Sequence, residues 1–93
     1  MRFEWDAEKA ELNLKKHDVD FGEASTVFDD LFNVDLYDPL HSENEHRFII
    51  VGESEQNRLL IVSYAERGIK IRIISARELT SKERRDYEQG RFE

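Results

Sequence analysis

Five arginines, Arg47, Arg58, Arg67, Arg72 and Arg77, fall on or beside segments of alternating apolar and polar residues in the second half of the chain. A guanidinium is always charged and offers a planar fork of donors. Several converging on one surface can hold a phosphodiester and the extra negative charge of its transition state. The competing reading is a set of cross-strand ion pairs with Glu53, Glu66, Glu78 and Asp35, an ordinary use of charge on a sheet. Arg58 is the weakest member, because it begins a strand beside a turn. The stretch "RGIKIRIISARE", Arg67 to Glu78, sharpens the choice. Alternation puts Ile69, Ile71 and Ile73 on one face and Lys70 and Arg72 on the other. Ile74 and Ala76 then turn the second face apolar, while Ser75 and Arg77 continue the isoleucine face. Either basic side chains leave from both faces of this strand or the strand is bulged.

Three further groups have side chains suited to moving protons or binding a metal. Glu66 beside Arg67 at a strand end has the types needed for a general base on a ribose 2′-hydroxyl with a guanidinium on the phosphate, or is simply part of a polar hairpin turn. The stretch "DPLHSENEHR" holds His41, Glu43, Glu45 and His46, all metal-ligating types, but in a polar loop they read more simply as solvated, and no metal is expected. Within it, Asp38 near His41 could orient an imidazole for acid–base work. His17 extends a stripe of Ala7, Ala10 and Leu14, so it is expected to face inward, where a structural role or capping of the last helical carbonyls is the usual one.

The elements that must carry these groups follow from periodicity. A short strand at "FEWD" leads to Asp6 as an N-cap and a helix whose apolar face is Ala7, Ala10, Leu14 and His17, ending at Asp18 in the left-handed conformation. "VDFGEA" reads as a second helix start, with Asp20 and Glu23 as a capping box, Val19 and Ala24 as a hydrophobic staple, and Phe21, Ala24, Val27 and Phe28 as the buried face. From Asn33 onward the period becomes two. "NVDLY", "HRFIIVGE", "RLLIVSYAE" and "GIKIRIISAR" are four strands with short turns at "SEQN" and "RG", and an antiparallel meander is the economical topology. A last helix begins with the Thr80–Glu83 capping box and closes at Gly90; Tyr87 is its one residue suited to docking.

Bulk properties set the frame. Ninety-three residues fit a single domain over 1–93, and a formal charge of −7 makes the whole chain a poor counter-ion for nucleic acid. The charge is divided, however. Residues 1–45 hold four Lys or Arg against thirteen Asp or Glu, a balance of −9, whereas residues 46–93 hold ten against eight, a balance of +2. Nucleic-acid contact belongs to the second half, and the acidic first half suits a basic protein partner. The absence of cysteine removes disulfides and thiolate metal sites. With no apolar run near the roughly 18 residues of a membrane span and no secretory h-region, a soluble, cytoplasmic protein is expected.

Taken together, "FEWDAEKAELNLKKHDVDFGEASTVF", "HSENEHR" and "YAERGIKIRIISARELTSKERRDYE" resemble the BrnT toxin family over nearly the whole chain. The order and spacing of "FEWD…KA…N…KH", "HS…E.R" and "RIISAR…ER..Y" carry the resemblance; Asp18 stands where the family commonly has Gly. The resemblance implies an α+β, RelE-like fold: a meander covered on one face by two N-terminal helices, with a C-terminal helix. It implies a metal-independent endoribonuclease that inhibits translation, needs no cofactor, and is silenced by a BrnA-like antitoxin with a ribbon-helix-helix DNA-binding region. DNA would be reached only through that antitoxin, and a homodimer within the complex is left open. Arg67, Arg72 and Arg77 would be the phosphate clamp, Glu66 and His17 the acid–base candidates, and Arg47, Lys70 and Arg84 would bind RNA. The alternative is a non-enzymatic acidic module that acts by binding a basic partner.

Overall fold

The computed structural model describes residues 1–92. Strand β1 (Arg2–Glu4) is followed by helix α1 (Ala7–His17) and helix α2 (Phe21–Thr26), which tightens into a 3-10 turn at Val27–Asp29. Strands β2 (Val34–Tyr37), β3 (Arg47–Glu53), β4 (Leu59–Arg67) and β5 (Lys70–Glu78) come next, with a 3-10 turn at Pro39–His41 between β2 and β3, and helix α3 (Ser81–Glu88) follows β5. The sheet order is β1-β5-β4-β3-β2. The expected meander is present from β2 to β5, and β1 adds to it in parallel with β5. That pairing was not specified by the alternation of the sequence. Among the described residues no helix is long and apolar enough to cross a membrane.

Helix boundaries fall where the caps place them. Asp6 accepts from Lys9 N at 2.9 Å, and Asp18, at φ 57°, donates its N–H to Leu14 O. Thr80 and Glu83 form the reciprocal capping box. Asp20 caps α2 through Glu23 N at 2.7 Å, but the Glu23 carboxylate does not return to it. Glu23 instead takes Ser54 Oγ at 2.6 Å and the Arg58 guanidinium, so the expected box is half made and its acid is used in the interior.

The buried face of α1 also differs from the apolar stripe. Ala7 and Leu14 are exposed, and the buried residue of this helix is Asn13. Beyond β1's three residues the edge of β5 has no strand beside it, and the Asn13 carboxamide completes the missing ladder. Its Nδ2 donates to Ala76 O at 2.9 Å and to Val19 O, while its Oδ1 accepts from Ala76 N at 3.1 Å. An unpaired strand edge makes a polar residue the better one to bury at that position.

Val19, Phe21, Ala24 and Val27 from the helical layer pack on Ile50, Leu60, Val62, Tyr64, Ile73 and Ala76 from one face of the sheet. A chain of aromatic contacts, Phe3–Phe28–Tyr64–Phe48–Tyr37, with ring centroids 4.9–5.6 Å apart, runs across this face. The Tyr64 hydroxyl ends on both oxygens of Asp35. Burial, reinforced by that carboxylate, raises its pKa.

The candidate active-site groove

The bulge that the sequence left open is present and decides where the arginines go. Ser63 pairs with Ser75 but Tyr64 pairs with Ile73, which leaves Ile74 as the extra residue of β5. Side-chain parity inverts at that point. Ile71, Ile73 and Ala76 therefore all face the helices, and Lys70, Arg72, Ser75 and Arg77 all face the other way. Basic side chains leave β5 from one face.

On this open face the register stacks the side chains in rows. Val51, Ile61 and Arg77 form one row; Ile49, Ser63 and Ser75 form the next; Arg47, Ala65 and Arg72 form a third, with Glu4 beside Arg72; and Arg67 and Lys70 lie at the hairpin. Two strand spacings put the Arg47 and Arg72 backbones roughly 10 Å apart, with the fully buried Ala65 between them. Helix α3 crosses the far end. It starts next to Arg77, and its Tyr87 hydroxyl donates to Phe32 O at 3.1 Å on the opposite side of the sheet. The complete burial of Val51 fits that cover.

The middle row is the floor of a groove. Ile49, Ser63 and Ser75 are shared by two adjoining depressions, one bounded by His17 and Arg77 and the other by Asp38, His41 and Arg47. A third depression continues from His17 and Ser75 past Ile74 to Lys9 and Lys16 on α1. His17, half-buried at the end of α1, thus reaches the same groove as Arg77, a juxtaposition that no spacing in the sequence revealed.

The turn carrying His41 is clipped to β3 by short bonds. Pro39 opens the 3-10 turn, Ser42 Oγ donates to Asp38 O at 2.6 Å and accepts from Arg47 N at 2.9 Å, and Asp38 N donates to Arg47 O. The Asp38 carboxylate lies 2.8 Å from His41 Nδ1. The orienting pair weighed from sequence is therefore formed, and it lies beside Arg47. Arg47 Nε is buried with no hydrogen-bond partner among the described residues.

The other arginines are engaged. Arg77 forms a fork with Glu83 at 2.8 and 3.0 Å, and its guanidinium holds the Glu83 carboxyl at about 2, well below the usual carboxylate range. Arg72 lies 3.6 Å and Lys70 3.8 Å from Glu4, and Arg67 pairs with Glu45 at 3.2 Å. Arg58 is not on this face; it is bound to Glu23, Glu78 and Asp18 O at the edge of the helical layer. Glu66 pairs in register with Ile71 and so projects to the helix-covered side. Neighbouring residues of a strand alternate, so Glu66 and Arg67 do not act on one face. Arg84 is exposed on α3. Ser63 and Ser75, which form the floor, were not singled out by the sequence; the bulge that brings them into line is a property of pairing. Among the described residues no three of His, Asp and Glu converge as a metal-ligand cluster.

Comparisons with known proteins agree with this architecture. The sequence profile of the family described as "Ribonuclease toxin, BrnT, of type II toxin-antitoxin system" matches residues 5–83. Among solved structures, the 1.1 Å crystal structure of the Brucella abortus ribonuclease toxin, BrnT, superposes with a TM-score of 0.64 at 21% sequence identity, covering 87% of this chain and 99% of that one. No curated protein matches.

Proposed function

The chain belongs to the family of BrnT ribonuclease toxins of type II toxin–antitoxin systems, and on that footing we propose that it cleaves RNA in the groove of the open face, by attack of a ribose 2′-hydroxyl on the adjacent phosphate and without a metal ion. The observation that carries this reading is the shared floor of Ile49, Ser63 and Ser75, with His17 and Arg77 at one end and Arg47 at the other.

In such a reaction the phosphorus centre becomes crowded and more negative as the new bond forms. Two guanidinium groups approaching it from opposite ends of the groove supply fixed positive charge where that change occurs. Arg77 would exchange its Glu83 partner for the phosphate, and Arg47, which lines the other depression, would bind it from there. His17, which lines the same depression as Arg77, would deliver a proton to the leaving 5′-oxygen. Arg72, Arg67 and Lys70 extend the basic surface toward the β4–β5 hairpin; these, with Arg84 exposed on α3, would track the flanking phosphates. Glu66 has no part in this scheme. Silencing would come from a ribbon-helix-helix antitoxin that covers the groove and sets basic residues against the acidic first half.

Incubation of purified protein with RNA, with and without excess chelator, tests the reading. Cleavage is expected in both, leaving a 2′,3′-cyclic phosphate, and Arg77→Ala should slow it by about 100-fold. Activity abolished by chelator and restored by Zn²⁺ would overturn the metal-free mechanism, and an Arg77→Ala variant at the wild-type rate would remove that residue.

A further inference from the structure

The scheme above supplies a proton donor for the leaving group and leaves the proton of the attacking 2′-hydroxyl without an acceptor. We propose that His41 is that acceptor, the general base of the reaction, and that Asp38 is its positioning residue. This deepens the ribonuclease reading and rests on it.

The geometry that points to His41 is local. A carboxylate is acceptor-only, so in the neutral ring the 2.8 Å contact between Asp38 and His41 Nδ1 assigns the imidazole proton to Nδ1 and leaves the Nε2 lone pair free. The Asp38 side chain is 15% exposed and the His41 side chain 65% exposed, so the orienting acid is held inside while the base is open to a ligand. The clip from Ser42 to Asp38 O and Arg47 N fixes the turn to the strand that carries Arg47. Base, orienting acid and phosphate-binding guanidinium thus share one end of the groove. That is the arrangement in which an imidazole takes a hydroxyl proton and a buried carboxylate stabilises the imidazolium that results.

The step balances. The 2′-hydroxyl proton passes to His41 Nε2 as the 2′-oxygen–phosphorus bond forms; the phosphorus–5′-oxygen bond breaks, and the 5′-oxygen takes a proton from a protonated His17. The products are a 2′,3′-cyclic phosphate and a 5′-hydroxyl, and the two imidazoles return to their starting states by exchange with water. The charged groups lining the His41 end are Asp38, from its own turn, and Arg47, from β3; Ile49, Ser63, Ile74 and Ser75 complete it and carry no charge.

The test uses two oligoribonucleotides that differ only in the leaving atom at the cleaved linkage, the natural 5′-oxygen or a 5′-bridging sulfur. A thiolate leaves without a proton, so the sulfur substrate removes the need for an acid but not for a base. On the natural substrate both His41→Ala and His17→Ala should be slowed by about 100-fold or more. On the sulfur substrate His17→Ala should recover to within about tenfold of wild type, and His41→Ala should not. The rise of rate with pH that an unprotonated base imposes should disappear in His41→Ala. It should persist in Asp38→Asn, which lowers kcat by about tenfold with KM unchanged. His41→Ala at the wild-type rate, or rescued by the sulfur substrate, overturns the assignment. Wild-type protein inactive on both substrates would instead overturn the ribonuclease reading, and this inference with it.

Discussion

The two faces of the sheet each hold an arginine at or just before the start of a strand, and they treat it in opposite ways. Arg58, on the helix-covered side, is engaged through all three of its nitrogens: it binds both oxygens of Glu23, Glu78 and the Asp18 carbonyl, and these contacts, above all the hydrogen bond it donates to Glu23, push its pKa upward. The Glu23 side chain is 1% exposed and takes Ser54 Oγ as well, so the network ties α2 to the turn between β3 and β4. Arg47, on the open side, lines a groove with its Nε buried and unpartnered among the described residues. A charge whose donors are used within the protein holds the fold, and one that lines an open groove can be offered to a ligand. The same residue type therefore has a structural use on one face and, in the proposed scheme, a binding use on the other.

The sharpest way to break this contrast is to remove Glu23. Glu23→Ala leaves a largely buried guanidinium without its main partner and should cost about 3 kcal/mol of stability, read as a lower urea midpoint, while cleavage per folded molecule stays at the wild-type level. A stable Glu23→Ala variant would mean that the covered face does not depend on this network. The mirror experiment is Arg47→Met, which keeps the apolar stem and deletes the charge. RNA cleavage should fall by about 100-fold with the urea midpoint within error of wild type, and loss of stability in place of activity would reverse the roles given to the two arginines.

Arg77 lies between these extremes, since it is paired but on the groove side, and pH separates its two uses. The Glu83 carboxyl is lowered from 4.5 to about 2, chiefly by its hydrogen bond with Arg77. The stability it contributes is therefore fully present above about 4.5 and is lost as pH falls through about 2. Glu23 is lowered too, so it adds to acid sensitivity in the same direction. Urea midpoints between pH 5 and pH 2 should fall in wild type and fall less in Glu83→Gln, which should itself cost about 1.5 kcal/mol at pH 5. Parallel curves for the two proteins would show that the Arg77–Glu83 fork carries no stability and leaves Arg77 free for the groove without cost.

Much of the fold was legible because its signals are local. The N-caps Asp6, Asp20 and Thr80, the left-handed Asp18, and the change of period at Asn33 act within a few residues, and each element begins and ends close to where they place it. The Asp38–His41 pair was within reach for the same reason, as two side chains three residues apart on one turn. Where the reading of α1 failed, at Leu14 and Asn13, the deciding partner was Ala76, sixty-three positions away.

By itself the sequence determined the caps, the four strands of the meander and the supply of basic side chains in the second half, because each depends on spacing or composition along the chain. Only the tertiary structure decided which of those side chains meet. One bulged residue, Ile74, turns Arg77 to the same face as Arg72. The docking of α1 along the open edge of β5 brings His17 to that groove, and the clip through Ser42 brings His41 to Arg47. Glu66 and Arg58 are both taken off the groove face, Glu66 by strand parity and Arg58 by its pairing with the buried Glu23. Register and edge pairing are set by contacts between residues far apart in the chain, and so they follow from how the strands and helices pack together.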